Sequence, residues 1–149
     1  MTRPWSSFQN TQNYLECQLV SALNAYYYLT GEKIEIGSEG YEELVDLAGG
    51  RKQTCLCMSP VYERLGIKIE KTFDSSDEFI NNLVFPMEKI VYGGLHSVLI
   101  TDWDILNKKV RLTNFGVSSS GWVTEEVFNR AIRDSDVNFG KYKLFSLVR

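Results

Sequence analysis

Apolar residues recur at helical spacing in one early stretch and alternate with polar ones in several later stretches. Over residues 17–30 they fall at Leu19, Val20, Ala22, Leu23, Tyr26, Tyr27 and Leu29. That covers well over half of a helical surface and predicts a central, largely buried helix. Gly31 follows where a C-terminal glycine belongs, and the Tyr26-Tyr27-Tyr28 run reads as core or interface packing. A second helix is predicted near 39–48, with Ser38 as its cap, Tyr41, Leu44, Val45 and Leu47 inward, and Gly49-Gly50 as its stop. Ser59-Pro60 opens a third that ends at Leu65-Gly66. Asp74, Ser75 or Ser76 caps a fourth, carrying Phe79, Ile80, Leu83 and Val84 and ending before Pro86.

Residues 67–73 alternate apolar and polar and read as a strand. Further strands are predicted at 89–92, 95–103, 110–115 and 141–148. Thr124 caps a last helix with Val127, Phe128, Ala131 and Ile132 inward, and Glu125-Glu126 suit its first turn electrostatically. Helices come early and strands late, which argues for an α+β domain in place of alternating βαβ units. Residues 1–13 form an extended polar entry, rich in amides at Gln9, Asn10, Gln12 and Asn13, with Trp5 and Phe8 as aromatic anchors.

Composition narrows the class. A chain of 149 residues that is 44% hydrophobic can bury a full core as one domain, residues 1–149, without metal or disulfides. The net charge of -3 is dispersed, and basic runs extend no further than Arg51-Lys52 and Lys108-Lys109. Nucleic acid and anionic membrane surfaces are therefore poor partners. The first residues lack a signal-peptide core, and no segment reaches the ~20 apolar residues of a membrane span, so the expectation is a soluble, cytoplasmic protein. Three cysteines fit a reducing compartment better than a disulfide framework.

Cys17 stands where the amide-rich entry meets the apolar helix. In the first helical turn a cysteine faces N–H groups with no partner inside the helix and the positive end of the macrodipole, both of which favour the thiolate. An upstream amide and the cysteine's own N–H could form an oxyanion hole. A small buried hydrophobe at a helix start is the competing reading. His96 is the chain's single histidine and hence the one imidazole that could serve as base; Gly93-Gly94 just before it leave room for a substrate backbone. If the two following strands pair with Asp104 opposite Lys108, Val98 lies opposite Asn114, and His96 and Asn114 share a face as diagonal neighbours. A slip of one residue would remove that relation.

In this order the residues resemble the papain-like cysteine peptidases, and within them the compact bacterial group of peptidase C39 and C39-like proteins. The resemblance is carried by Gln12-x-x-x-x-Cys17 leading into a helix, the segment from Gly94 through His96 to Asp104, Asn114 on the next strand, and the stretch from Gly121 to Phe128. It implies a fold with N-terminal helices, a central nucleophile helix and a C-terminal antiparallel sheet. It also implies a thiol-dependent acyl transfer acting on a peptide or protein substrate, with no cofactor and no metal. Cys17 is then the nucleophile, His96 the base, Asn114 its orienter and Gln12 the oxyanion donor. Gln9 and Asn13 are alternatives for the last role, because Gln12 is slightly closer to Cys17 than the usual spacing. Gln18 stands where the family usually has glycine, which bears on the shape of the substrate slot.

The same triad would serve a side-chain deamidase, transamidase or isopeptidase, and the fold could also persist as a binding module without turnover. Cys55-Leu56-Cys57 is a weak metal or redox motif, since C-x-C lacks the spacing of paired zinc knuckles; a cysteine-containing loop near the cleft is favoured. Loops at 49–58 and 116–122 would wall the cleft, and composition leaves both specificity and oligomeric state open.

Overall fold

The computed structural model describes residues 3–12, 16–51, 58–73, 87–91, 96–114, 120–128, 130 and 144–149. The predicted central helix forms as α1 (Cys17–Thr30), closed by Gly31, whose N–H reaches the Tyr27 carbonyl at φ 79. Residues 19–25 are all buried along it, so α1 is enclosed on most of its circumference over two turns. Burying Leu19, Val20 and Leu23 contributes about 1.5–3 kcal/mol each.

Helix α2 (Glu39–Leu47) starts as expected: the Ser38 hydroxyl accepts the Tyr41 N–H, and Glu39 and Glu42 occupy its first turn. Helix α3 (Ser59–Leu65) begins one residue earlier than its sequence suggests. Met58 takes the cap position, and Ser59 and Pro60 both lie inside the first turn. The helix expected after 74–76 lies outside the described residues. Tyr41, Leu44 and Val45 of α2 and Val61 and Leu65 of α3 join Leu19, Ala22 and Leu23 of α1 in one core.

The strands are β1 (Lys68–Phe73), β2 (Met87–Val91), β3 (His96–Asp104), β4 (Lys109–Thr113), β5 (Trp122–Thr124) and β6 (Leu144–Val148). They make a sheet ordered β1-β6-β2-β3-β4-β5 in which every neighbouring pair is antiparallel. The chain therefore has an α+β architecture of early helices on a late antiparallel sheet. Strand β3 lies inside this sheet, and Val98, Leu99 and Ile100 are wholly buried. Leu99 belongs to the α1 core, while the Ser97 hydroxyl meets that of Ser21 on α1 at 3.0 Å. The helix is thereby seated on the strand that opens with His96.

The β3–β4 connection differs from its expected register at the turn and agrees with it further in. Asp104 pairs with Lys109 and Trp103 with Val110. One more residue sits in the turn because the Asp104 carboxylate holds both the backbone and the side-chain N–H of Asn107, and Lys108 takes a left-handed φ of 53. A bulge between Ile100 and Asp102 then returns the pairing to Ile100 with Leu112 and Leu99 with Thr113. Bulges insert one unmatched residue in one strand. The offset is cancelled by Leu99 and Thr113, the last pair of the ladder.

Strand β5, only three residues long, offers no readable alternation; it is a short edge strand paired to β4. Helical residues follow at 125–128, with the Thr124 hydroxyl accepting the Val127 N–H at 3.2 Å and Phe128 edge-on to Trp103. Ala131 and Ile132, expected to continue this face, lie outside the described residues.

Gly121 joins β5 to the N-terminal entry. Its φ is 82, and a Cβ there would overlap the Trp5 indole; that indole N–H donates to the Leu112 carbonyl at 2.8 Å. Replacing Gly121 by alanine is expected to cost about 2–4 kcal/mol, combining left-handed strain with displacement of Trp5. Urea unfolding followed by tryptophan fluorescence measures it. A loss of only ~1 kcal/mol, the backbone strain alone, would show that Trp5 yields without consequence.

Candidate active site

The entry arm is not a solvated tail. Phe8 is buried and meets Tyr27 of α1 edge-on, with centroids 5.4 Å apart. Asn24, a single amide on the buried stripe of α1, accepts the Gln9 N–H at 2.9 Å and donates to the Gln9 carbonyl at 3.0 Å. Its Nδ2 also reaches the Thr113 hydroxyl on β4 at 3.2 Å. The Gln9 side chain in turn donates to the Ile34 carbonyl at 2.7 Å and accepts the Ile36 N–H at 2.8 Å. Backbone polar groups withdrawn from water need such partners, and amide side chains supply both halves of the exchange.

Asn114 repeats this device two residues along the arm. Its Oδ1 accepts the Thr11 N–H at 2.7 Å, and its Nδ2 donates to the Thr11 hydroxyl at 2.7 Å and to the Ser97 carbonyl at 3.1 Å. The residue is 5% exposed with φ 62, a left-handed conformation that asparagine tolerates better than most side chains. Asn114 therefore ends β4 and ties the arm to the second residue of β3.

Cys17 is the first residue of α1 and is partly exposed. Immediately before it, Glu16 is fully buried. One carboxylate oxygen accepts the Tyr41 hydroxyl, and Arg51 donates to the same oxygen at 2.8 Å. Arg51 also grips both oxygens of Glu42, at 2.6 and 2.7 Å. Among the described residues, Glu16 Oε2 has no hydrogen-bond partner, nor has the buried Oε1 of Gln18 on the other side of Cys17. A helix N-terminus favours the thiolate of a first-turn cysteine, and a neighbouring carboxylate opposes it. Burial first, then the bond to Glu16, hold the Tyr41 hydroxyl far above its ordinary range; the bond to Glu42 first, then the charge of Glu16, raise Arg51.

Of the residues predicted from sequence, Cys17 and Asn114 stand on elements that both meet β3, and His96 is the first residue of β3, opposite Val91. The His96 side chain lies outside the described residues, as do Asn13, Cys55 and Cys57. Gln12 is exposed at the end of the described arm. Gln9 has its amide engaged with residues 34 and 36. Among the described residues no group of His, Cys, Asp or Glu is arranged to hold a metal ion, and no helix is long and apolar enough to cross a membrane.

Sequence reasoning missed Asn24, Glu16 and Arg51. A polar residue amid Leu19, Val20, Ala22, Leu23 and Ala25 was the available signal for Asn24. Glu16 had none, since a glutamate before a helix is ordinarily solvated.

Comparison with solved structures finds the N-terminal peptidase C39-like domain of the toxin secretion ATP-binding protein from Vibrio parahaemolyticus. It superposes with a TM-score of 0.53 at 20% identity, covering 93% of this chain and 98% of that one. The fold is C39-like. No protein-family model matches the chain, and no curated protein matches its sequence.

The Glu16–Tyr41 contact leads to an alkaline prediction. Because the folded protein holds the Tyr41 proton more tightly than the unfolded chain, this contribution is complete below about pH 10, where free tyrosine titrates, and is lost as pH climbs above it toward the folded value. Tyr28 and Tyr26 are raised as well and act in the same direction, Tyr28 chiefly by burial and Tyr26 chiefly by its bond to Glu32. Unfolding free energy should fall above pH 10, and Tyr41→Phe should reduce that slope by up to ~1.4 kcal/mol per pH unit. Urea midpoints from pH 9 to 11 measure it; identical slopes would disprove the linkage.

Proposed function

We propose that residues 1–149 act as one papain-like domain catalysing thiol-dependent acyl transfer, most simply as a cysteine peptidase on a peptide or protein substrate. The observation that carries this reading is the placing of Cys17 at the first turn of a buried helix seated on the strand that His96 opens, with Asn114 buried against Ser97 of that strand. The C39-like fold supports it.

In this mechanism the Cys17 thiolate attacks the substrate carbonyl carbon, and His96 holds the proton taken from the thiol. The oxyanion is held by the Cys17 N–H and the Gln12 amide. Collapse expels the leaving amine, which takes the proton from His96; water, deprotonated by the same imidazole, then hydrolyses the thioester and restores the thiol. Asn114, its side chain held by Thr11 and Ser97, orients His96. A reducing, cytoplasmic setting keeps such a thiol competent. No cofactor enters these steps.

A second reading, a binding module on the same fold, is favoured by the surroundings of Cys17. The Glu16 carboxylate disfavours the thiolate, and Gln18 replaces the usual glycine with a side chain whose carbonyl oxygen is buried and unpartnered. The intact order of cysteine, histidine and asparagine favours the enzyme.

Iodoacetamide at pH 5–6 should label Cys17 well ahead of Cys55 and Cys57, because a thiolate–imidazolium pair persists where ordinary thiols are protonated. His96→Ala should slow that labelling about 100-fold or more, as read by peptide mass mapping. Equal labelling of all three thiols would leave the binding module in its place. Substrate product masses then separate peptide cleavage from loss of ammonia.

A further inference from the structure

Asn24 follows Cys17 by seven positions on α1. At about 100° and 1.5 Å per residue, that spacing returns to the same face of the helix within roughly 20°, about 10.5 Å further along its axis. The arm runs antiparallel to α1: Phe8 meets Tyr27, and the next arm residue, Gln9, is held by Asn24, three positions nearer the helix start. The hold is two-sided. Asn24 accepts the Gln9 N–H, donates to the Gln9 carbonyl, and sends its other Nδ2 hydrogen to the Thr113 hydroxyl. At 1% exposure these partners do not exchange with water. From Gln9 the arm has three residues in which to reach Gln12, and three residues of backbone span at most about 10–11 Å. That reach matches the axial distance from Asn24 back to Cys17 and leaves no slack.

Resting on the acyl-transfer reading above, we propose that Asn24 is a positioning residue for the oxyanion donor. By gripping both backbone polar groups of Gln9 it fixes the register of the arm along α1, so that Gln12 comes level with Cys17 and its amide joins the Cys17 N–H at the helix start. A slip of one residue would move that amide by about 3.3 Å, a full hydrogen-bond length, and take it out of reach of the oxyanion. Asn24 touches neither substrate nor reacting atoms; it acts through the Gln9 backbone.

Two reagents separate this role from thiolate formation. Iodoacetamide alkylates Cys17 by displacement of iodide from a tetrahedral carbon and forms no oxyanion. With p-nitrophenyl acetate the sulfur attacks the ester carbonyl, the carbonyl oxygen becomes an oxyanion, and collapse expels p-nitrophenolate and leaves a thioester, the thiol proton passing to the base. Both rates are read at pH 7 as mass added to the Cys17 peptide in the wild-type chain, Gln12→Ala, Asn24→Ala and the double variant, with melting temperatures as the control for folding. Acylation should fall about 100-fold in Gln12→Ala and about tenfold or more in Asn24→Ala, while alkylation stays within about twofold. The double variant should fall no further than Gln12→Ala, because residues that act as a unit are non-additive. A merely structural asparagine would lower the melting temperature and leave the ratio of acylation to alkylation at its wild-type value. That ratio in Asn24→Ala, or losses that multiply in the double variant, overturns the positioning role while the acyl-transfer reading stands. Should Asn24→Ala not fold, Gln9→Ala, which releases the arm from residues 34 and 36, carries the same expectation, and an unchanged ratio there overturns the role likewise. An unchanged ratio in Gln12→Ala overturns the donor assignment and the positioning role with it. A wild-type chain that is not acylated at Cys17 overturns the acyl-transfer reading itself.

Discussion

The arm leading to Cys17 depends on hydrogen bonds from amide side chains in place of the strand ladder it lacks. Over residues 3–12 its large apolar side chains are Trp5 and Phe8, and past Phe8 the described backbone runs between α1 and the β4 end with no β partner. Asn24 exchanges two bonds with the Gln9 backbone, the Gln9 side chain exchanges two with residues 34 and 36, and Asn114 exchanges two with Thr11. Each pair copies the give-and-take of two strand residues. A single such bond contributes about 1 kcal/mol net, whereas an orphaned buried group costs about 1–3 kcal/mol. Specificity is the larger effect: only one threading of the arm satisfies all three amides.

This constraint has an electrostatic counterpart at Glu16. A fully buried carboxylate beside the helix start is unfavourable unless compensated, and Tyr41 from α2 and Arg51 from just beyond it provide the compensation. Because Arg51 simultaneously holds Glu42, α2 and the first turn of α1 are bound into one charged unit. The gain is positional. Cys17, partly exposed, follows this buried network directly.

Much of this was legible in the residues and some could not be. Helix α1 could be read because most positions from Leu19 to Ala25 are apolar, and α2 because Ser38 and Tyr41 make a local cap. Local signals of that kind depend on neighbours in sequence. The bulge at β3 was invisible: the turn was expected to set Asp104 against Lys108, the true pair is Asp104 and Lys109, and the bulge then returns the strands to the expected alignment near Asn114. Agreement at Leu99 and Thr113 follows from two offsets that cancel, so the alignment there matches the expectation through an incorrect turn. The roles of Asn24, Glu16 and Arg51 are set by residues 15 to 89 positions distant, and periodicity carries no record of them.

Gln12 illustrates how the site's two chemistries compete for the same kind of residue. The arm holds four amides between Gln9 and Asn13, and an oxyanion donor must keep its N–H available while a structural amide must not. Gln9 is engaged at both ends of its side chain, so it cannot supply an N–H without releasing the Ile34 carbonyl. Gln12 is exposed and stands one residue beyond the Asn114 clamp, near enough to be positioned by it and far enough to keep its amide out of it. On the proposed reading, the division between holding and donating falls at Thr11, with Gln12 beyond it.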